Sequence, residues 1–109
     1  MILRNLDKAE EEVKNFDASQ DETFLMQAAE KTYVAYTLLL EKTIKGEITS
    51  HAEIRNFSRY LGEKDAKIKA IYERCEILHA YHYEGRVDPE IIKNNISFSI
   101  REIKLKLRE

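Results

Sequence analysis

A chain of 109 residues suits a single domain spanning 1–109. Hydrophobic residues make up 43% and charged residues 35%, enough for a core inside a heavily charged surface, while three glycines and one proline leave too few turns for an all-β fold. The formal charge of −2 excludes a global basic field that would attract nucleic acid, though not a local basic patch.

The first element is predicted over residues 2 to about 16. Leu3, Leu6, Ala9, Val13 and Phe16 recur at steps of three and four, which places them on one helical face. Ser19 followed by Glu22 fits a capping box for the next helix, which should run to about residue 45. This is the most apolar stretch, and its second half is apolar nearly all round, so it should be buried on more than one side. Gly46 stands where a left-handed cap would end it. Ser50 can cap a short helix to about residue 61 with Ile54, Phe57 and Leu61 inward, and Gly62 stops it.

A further helix should begin near residue 63 or 64 and reach 84, ended by Gly85. Its core stripe is Ile68, Ile71, Cys75, Leu78 and His82, with a neighbouring stripe of Tyr72, His79 and Tyr83. Asp88-Pro89 is a strong start signal for the last helix, with Ile92, Ile96, Ser99, Ile100, Ile103 and Leu107 on one side. The fold class is therefore all-α. Four main helices plus one short one, with short connections, imply an up-down antiparallel bundle. A bundle this small leaves apolar surface over, and the Tyr72, His79, Tyr83 face is the expected seam of a homodimer.

Several kinds of chemistry have no sequence basis. The lone Cys75 can form neither an intrachain disulfide nor a zinc framework. There is no Gly-rich phosphate loop, and the single Glu76-x-x-His79 spacing has no second copy to build a di-metal site, so no metal or cofactor is expected. The N-terminus turns acidic too early for a signal peptide, and no apolar run has the ~20 residues needed to cross a bilayer. A cytoplasmic protein without membrane contact is the expectation.

The densest cluster of special side chains lies at 72–85. Arg74 precedes His79 by five positions. Such a pair suits metal-independent RNA cleavage, with His79 as acid or base at a ribose hydroxyl and Arg74 clamping the phosphate. Five residues at about 100° each put the two side chains about 140° apart, so a shared pocket requires a distortion or a second subunit. The other reading of each residue is structural: His79 with its tyrosines as an interface network, His82 as a hydrogen-bonded interior residue, Arg74 as a surface residue, Cys75 as packing. His51, just after a cap, is expected to act locally.

The stretch Ile77-Leu78-His79-Ala80-Tyr81-His82-Tyr83-Glu84-Gly85, followed by a proline-started helix, resembles the Leu-His…Tyr-Glu signature of short archaeal HEPN-like proteins. Met26 to Tyr36 resembles their Gln-Ala-Ala-Glu-Lys segment, and Ser50-His51 through Ile54 their Ser-His connection. The resemblance to the HEPN superfamily spans roughly residues 20 to 105. It implies an up-down bundle, usually dimeric, of a kind that often cleaves RNA without metal in toxin–antitoxin and defence systems, beside a minimal nucleotidyltransferase. Arg74 and His79 match the spacing of the family's catalytic motif, and Tyr81 matches a tyrosine that often follows. Tyr72, Tyr81, His82 and Tyr83 are the candidate binding residues. Cys75 stands where Asn or another polar residue is common, and some branches are non-catalytic binding or dimerisation modules. A dimeric module binding RNA, a nucleotide or a partner is therefore the first expectation, and a metal-independent endoribonuclease the second.

Overall fold

The computed structural model describes residues 1–84 and 87–109, with the backbone alone for Glu84. The described residues form five α-helices: α1 (Ile2–Ser19), α2 (Glu22–Ile44), α3 (His51–Gly62), α4 (Ala66–Glu84) and α5 (Pro89–Leu107). No strand occurs among them, and no helix is long and apolar enough to cross a membrane.

α2 is the hub and packs against every other helix. Between Ala28 and Glu41 it exposes no residue, as a stretch apolar nearly all round requires. Its small residues Ala28, Ala29 and Ala35 are fully buried, which lets neighbouring backbones approach closely. α1 contributes Leu6, Ala9 and Phe16 to the core, and α5 contributes Ile92, Ile96, Ile100 and Ile103. α3 lies against α4 and touches the rest of the protein less. A buried hydrogen bond of 2.6 Å between the Tyr36 and Ser58 hydroxyls ties it to α2. Gly62 allows the α3–α4 corner to close, because a Cβ there would stand 3.2 Å from the Lys69 Cβ.

The helix ends depart from the sequence expectation in four places. Ser19 does not cap α2; it is the last residue of α1 and its hydroxyl donates to the Asn15 carbonyl. Asp21 is the cap, accepting from the Thr23 N–H at 2.9 Å. The left-handed residue after α2 is Lys45 (φ 56°), not Gly46, and Gln20 (φ 59°) plays the same part after α1. Both satisfy carbonyls of the last turn at the conformational cost of a non-glycine residue in that region. α4 starts at Ala66 rather than 63 or 64, because the Asp65 carboxylate accepts from the N–H groups of Lys67 and Ile68. Burial would push the Asp65 carboxyl up, but the ion pair with Lys106 and these N–H groups hold it below the usual range.

Two other caps match the reading of the sequence. Ser50 caps α3 through the Glu53 N–H, and Asp88 caps α5 through the Glu90 N–H. The expected stop at Gly85 lies outside the described residues. The core stripe of α4 ends differently. Ile68, Ile71, Cys75 and Leu78 are buried as expected, but the next buried residue is Tyr81, while His82 is only partly covered. Two successive steps of three, from Cys75 through Leu78 to Tyr81, carry the stripe on, and a tyrosine fills that end.

Candidate functional site

Three helices bring all three histidines of the chain to one place. α2 supplies Tyr33, the first turn of α3 supplies His51, and α4 supplies Glu76, His79, His82 and Tyr83. Spacings of three and four along α4 put Glu76, His79 and Tyr83 on the face that meets α2 and α3. The Ser50 cap fixes where α3 begins and so where the His51 ring stands. The Glu53 carboxylate reinforces that corner by accepting from the Thr49 N–H at 3.0 Å.

Tyr33 and His51 are joined by a 2.7 Å hydrogen bond between the phenol oxygen and Nδ1. Their ring planes differ by 15° with centroids 6.2 Å apart, so the two rings lie almost side by side in one sheet. The His79 ring stacks across both, 4.6 Å from each centroid. Tyr83 meets His79 edge-on at 4.9 Å and His82 edge-on at 5.1 Å. On its far side, His51 Nε2 stands 3.5 Å from Glu76 Oε2. The tautomer that serves both neighbours carries its proton on Nε2, leaving Nδ1 to accept from the Tyr33 hydroxyl. Burial, then the Glu76 charge, push the Tyr33 phenol up, so it remains a donor. His82 Nδ1 donates to the Met26 carbonyl at 3.2 Å, the opposite tautomer.

His79 forms no hydrogen bond among the described residues. Burial, then His51, hold its pKa below the ordinary histidine value, against the opposing pull of Glu76. It borders a cleft of about 210 Å³ lined by Glu30, His79 and His82 and, among the described residues, by no Arg or Lys. Among the described residues no three His, Cys, Asp or Glu converge to hold a metal ion.

Arg74 stands on another face of α4. Its guanidinium lies 4.6 Å from the centroid of the Phe98 ring of α5 and opens on a separate groove of about 490 Å³. The two residues of the candidate catalytic pair therefore share no pocket within one chain, as the helical angle requires. Cys75, between them in sequence, is fully buried, and burial pushes its thiol pKa far up, so it serves packing.

The candidate binding residues disperse. Tyr81 is sealed, and its hydroxyl donates to Glu22 Oε1 at 3.0 Å, which leaves it nothing to offer a ligand. Tyr72 is half-buried, 6.4 Å from the Tyr36 ring. Together with Arg59, Lys69 and Glu73 it lines a groove between α3 and α4. α3 thus covers much of the stripe that was expected to be a dimer seam. Only Tyr83 remains openly available, at 73% exposure. Tyr33, Phe98 and Arg101 were not singled out from sequence, and Glu76 only for its spacing from His79; the contacts of Tyr33 with His79 and of Phe98 with Arg74 arise between helices, which sequence does not show. Comparison with protein-family models, with curated proteins and with solved structures finds no match for this chain.

The His79 environment makes acid a destabilising condition. The unfolded chain protonates this histidine near pH 6.5, whereas the folded chain resists protonation until lower pH. The stability due to neutral His79 is fully present above about pH 6.5 and is lost as pH falls through the lower folded-state pKa. The melting temperature should therefore fall more steeply between about pH 7.5 and about pH 5 for the wild type than for His79→Gln. Parallel curves would show that His79 titrates as a solvated side chain.

Proposed function

We propose that this chain is a HEPN-like up-down antiparallel bundle that works as a homodimer and binds RNA, a nucleotide or a partner protein without cleaving RNA. The carrying observation is the separation of Arg74 from His79. Phosphodiester cleavage needs an acid or base together with a cation at the phosphate. Among the described residues the His79 cleft is lined by Glu30 and by no Arg or Lys, so it offers the proton acceptor in a setting that repels the substrate. The connections 20–21, 45–50 and 63–65 are short, which supports antiparallel neighbours. The exposed Tyr83 ring, held edge-on by His79 and His82, supports a seam at that end of the Tyr/His stripe. Such a module fits a toxin–antitoxin or defence-type system, with a minimal nucleotidyltransferase as the partner that the resemblance implies.

The test is incubation of structured and single-stranded RNA with the protein in EDTA, beside His79→Ala and Arg74→Ala. No cleavage by any of the three is expected. Cleavage by the wild type that both substitutions abolish would overturn the reading in favour of a metal-independent endoribonuclease assembled across two subunits. Light scattering should return twice the 12.8 kDa chain mass, and a single chain mass would remove the dimer.

A further inference from the structure

The groove between α4 and α5 carries a charge arrangement that the fold itself leaves incomplete. Arg74 of α4 and Arg101 of α5 both place their guanidinium groups over the Phe98 ring, at 4.6 and 5.5 Å from its centroid. One ring thus fixes two like charges on one wall. Arg74 makes no ion pair among the described residues. Among the described residues Arg101 approaches a single carboxylate, Glu102, and only at 4.0 Å through Nε. Its terminal N–H groups are therefore available, and its side chain is 68% exposed.

Among the described residues no carboxylate lines the groove. Its rim carries Asn94 and Ser97, both exposed and both able to donate a hydrogen bond. The volume of about 490 Å³ is that of a small-ligand site. Several other surface cations are neutralised: Lys8 pairs with Glu11, Lys93 with Asp17, Lys104 with Glu10 and Lys106 with Asp65. In a chain of net charge −2, this groove holds two arginines over one ring without a close carboxylate partner among the described residues.

We infer that the α4–α5 groove is a phosphate site that takes two neighbouring phosphates, either of a single-stranded RNA backbone or of a nucleotide polyphosphate. A guanidinium presents paired N–H donors that match phosphate oxygens, and an anion between two of them removes their mutual repulsion. Phe98 preorganises both side chains, which lowers the entropy lost on binding. The inference rests on the binding-module reading above and gives that module a contact surface away from His79.

The experiment is fluorescence anisotropy with a short fluorescein-labelled single-stranded RNA, repeated over a potassium chloride series, with ATP and inorganic pyrophosphate as competitors. The proteins are the wild type, Arg101→Gln, Arg74→Gln/Arg101→Gln and, as a charge-matched control, Lys8→Gln. The exposed position of Arg101 makes its single variant safe for folding. The double variant should bind about tenfold more weakly or worse, with its salt slope reduced by about two. Lys8→Gln should bind like the wild type. RNA binding that ATP does not displace assigns the site to the nucleic-acid backbone; binding of ATP and pyrophosphate alone assigns it to free nucleotides. Double-variant binding as tight as wild type, or a wild type that takes neither RNA nor polyphosphate, overturns the phosphate site. Loss of the dimer in the double variant, with no phosphate ligand bound by the wild type, overturns it too and gives the face to subunit pairing. Each of these failures leaves the RNA-cleavage test of the module reading standing on its own.

Discussion

Leu40→Ala should lower the unfolding free energy by about 2–5 kcal/mol, toward the upper end of that range. Leu40 is fully buried near the end of α2, in the stretch from Ala28 to Glu41 that exposes no residue. Truncation removes transfer free energy and leaves a cavity, and the cost depends on how far the surroundings collapse. Here α2 is flanked by α1, α3, α4 and α5, so collapse on one side opens another. A domain of this size holds only about 5–15 kcal/mol in total, so the loss is a large fraction. Urea denaturation reads it as a lower midpoint at unchanged slope. Leu3→Ala, on a side chain 55% exposed, is the control and should shift stability by no more than about 0.5 kcal/mol. Equal losses at the two positions would contradict α2 as the hub.

The helical architecture was legible because its signals are local. Apolar residues at three- and four-residue steps give α1 and α5, and Ser50 and Asp88 give two of the helix starts. Ser50 and Asp88 act through side chains two or three residues from the N–H groups they serve, so sequence alone can find them. The missed ends have a common cause. Gln20 and Lys45 take the left-handed conformation that glycine adopts most cheaply. Both residues are exposed, and the Gln20 amide donates to the Phe16 and Asp17 carbonyls of the preceding turn, a side chain-to-backbone contact that no motif announces. Glu41 shows the same thing: its carboxylate holds the α2–α3 connection by accepting from the Ile48 N–H at 2.8 Å, seven residues away.

The site was legible only in part, for the same reason. The angle between Arg74 and His79 follows from helix geometry and needed no structure. What surrounds each did. His79 meets Tyr33 from α2 and His51 from α3, and Arg74 meets Phe98 from α5. Separations of 46, 28 and 24 positions carry no periodic signal, because they follow from the numbering alone and not from any repeat. Tyr81 and His82 are the sharpest case. They are adjacent, one sealed and the other partly covered, and only the position of α2 decides which one turns inward.

The same dependence on α2 gives the second large expected effect. Tyr36→Phe should cost about 1–3 kcal/mol, because it leaves the Ser58 hydroxyl, 1% exposed, without its partner. Burial keeps the Tyr36 phenol protonated, its pKa raised far above the ordinary value, so the bond persists across the physiological range. Ser58→Ala should cost a similar amount, and Tyr36→Phe/Ser58→Ala less than the two together, since the double variant buries no orphan. The loss should not be spread evenly. α3 has few other anchors, and it carries His51 into the Tyr33–His79 stack. Amide exchange in α3 should therefore accelerate more than in α5, and the His51 ring resonances should move toward those of a solvated histidine. Uniform acceleration over all five helices would mean that the hydroxyl pair stabilises the core as a whole and that another contact sets the place of His51.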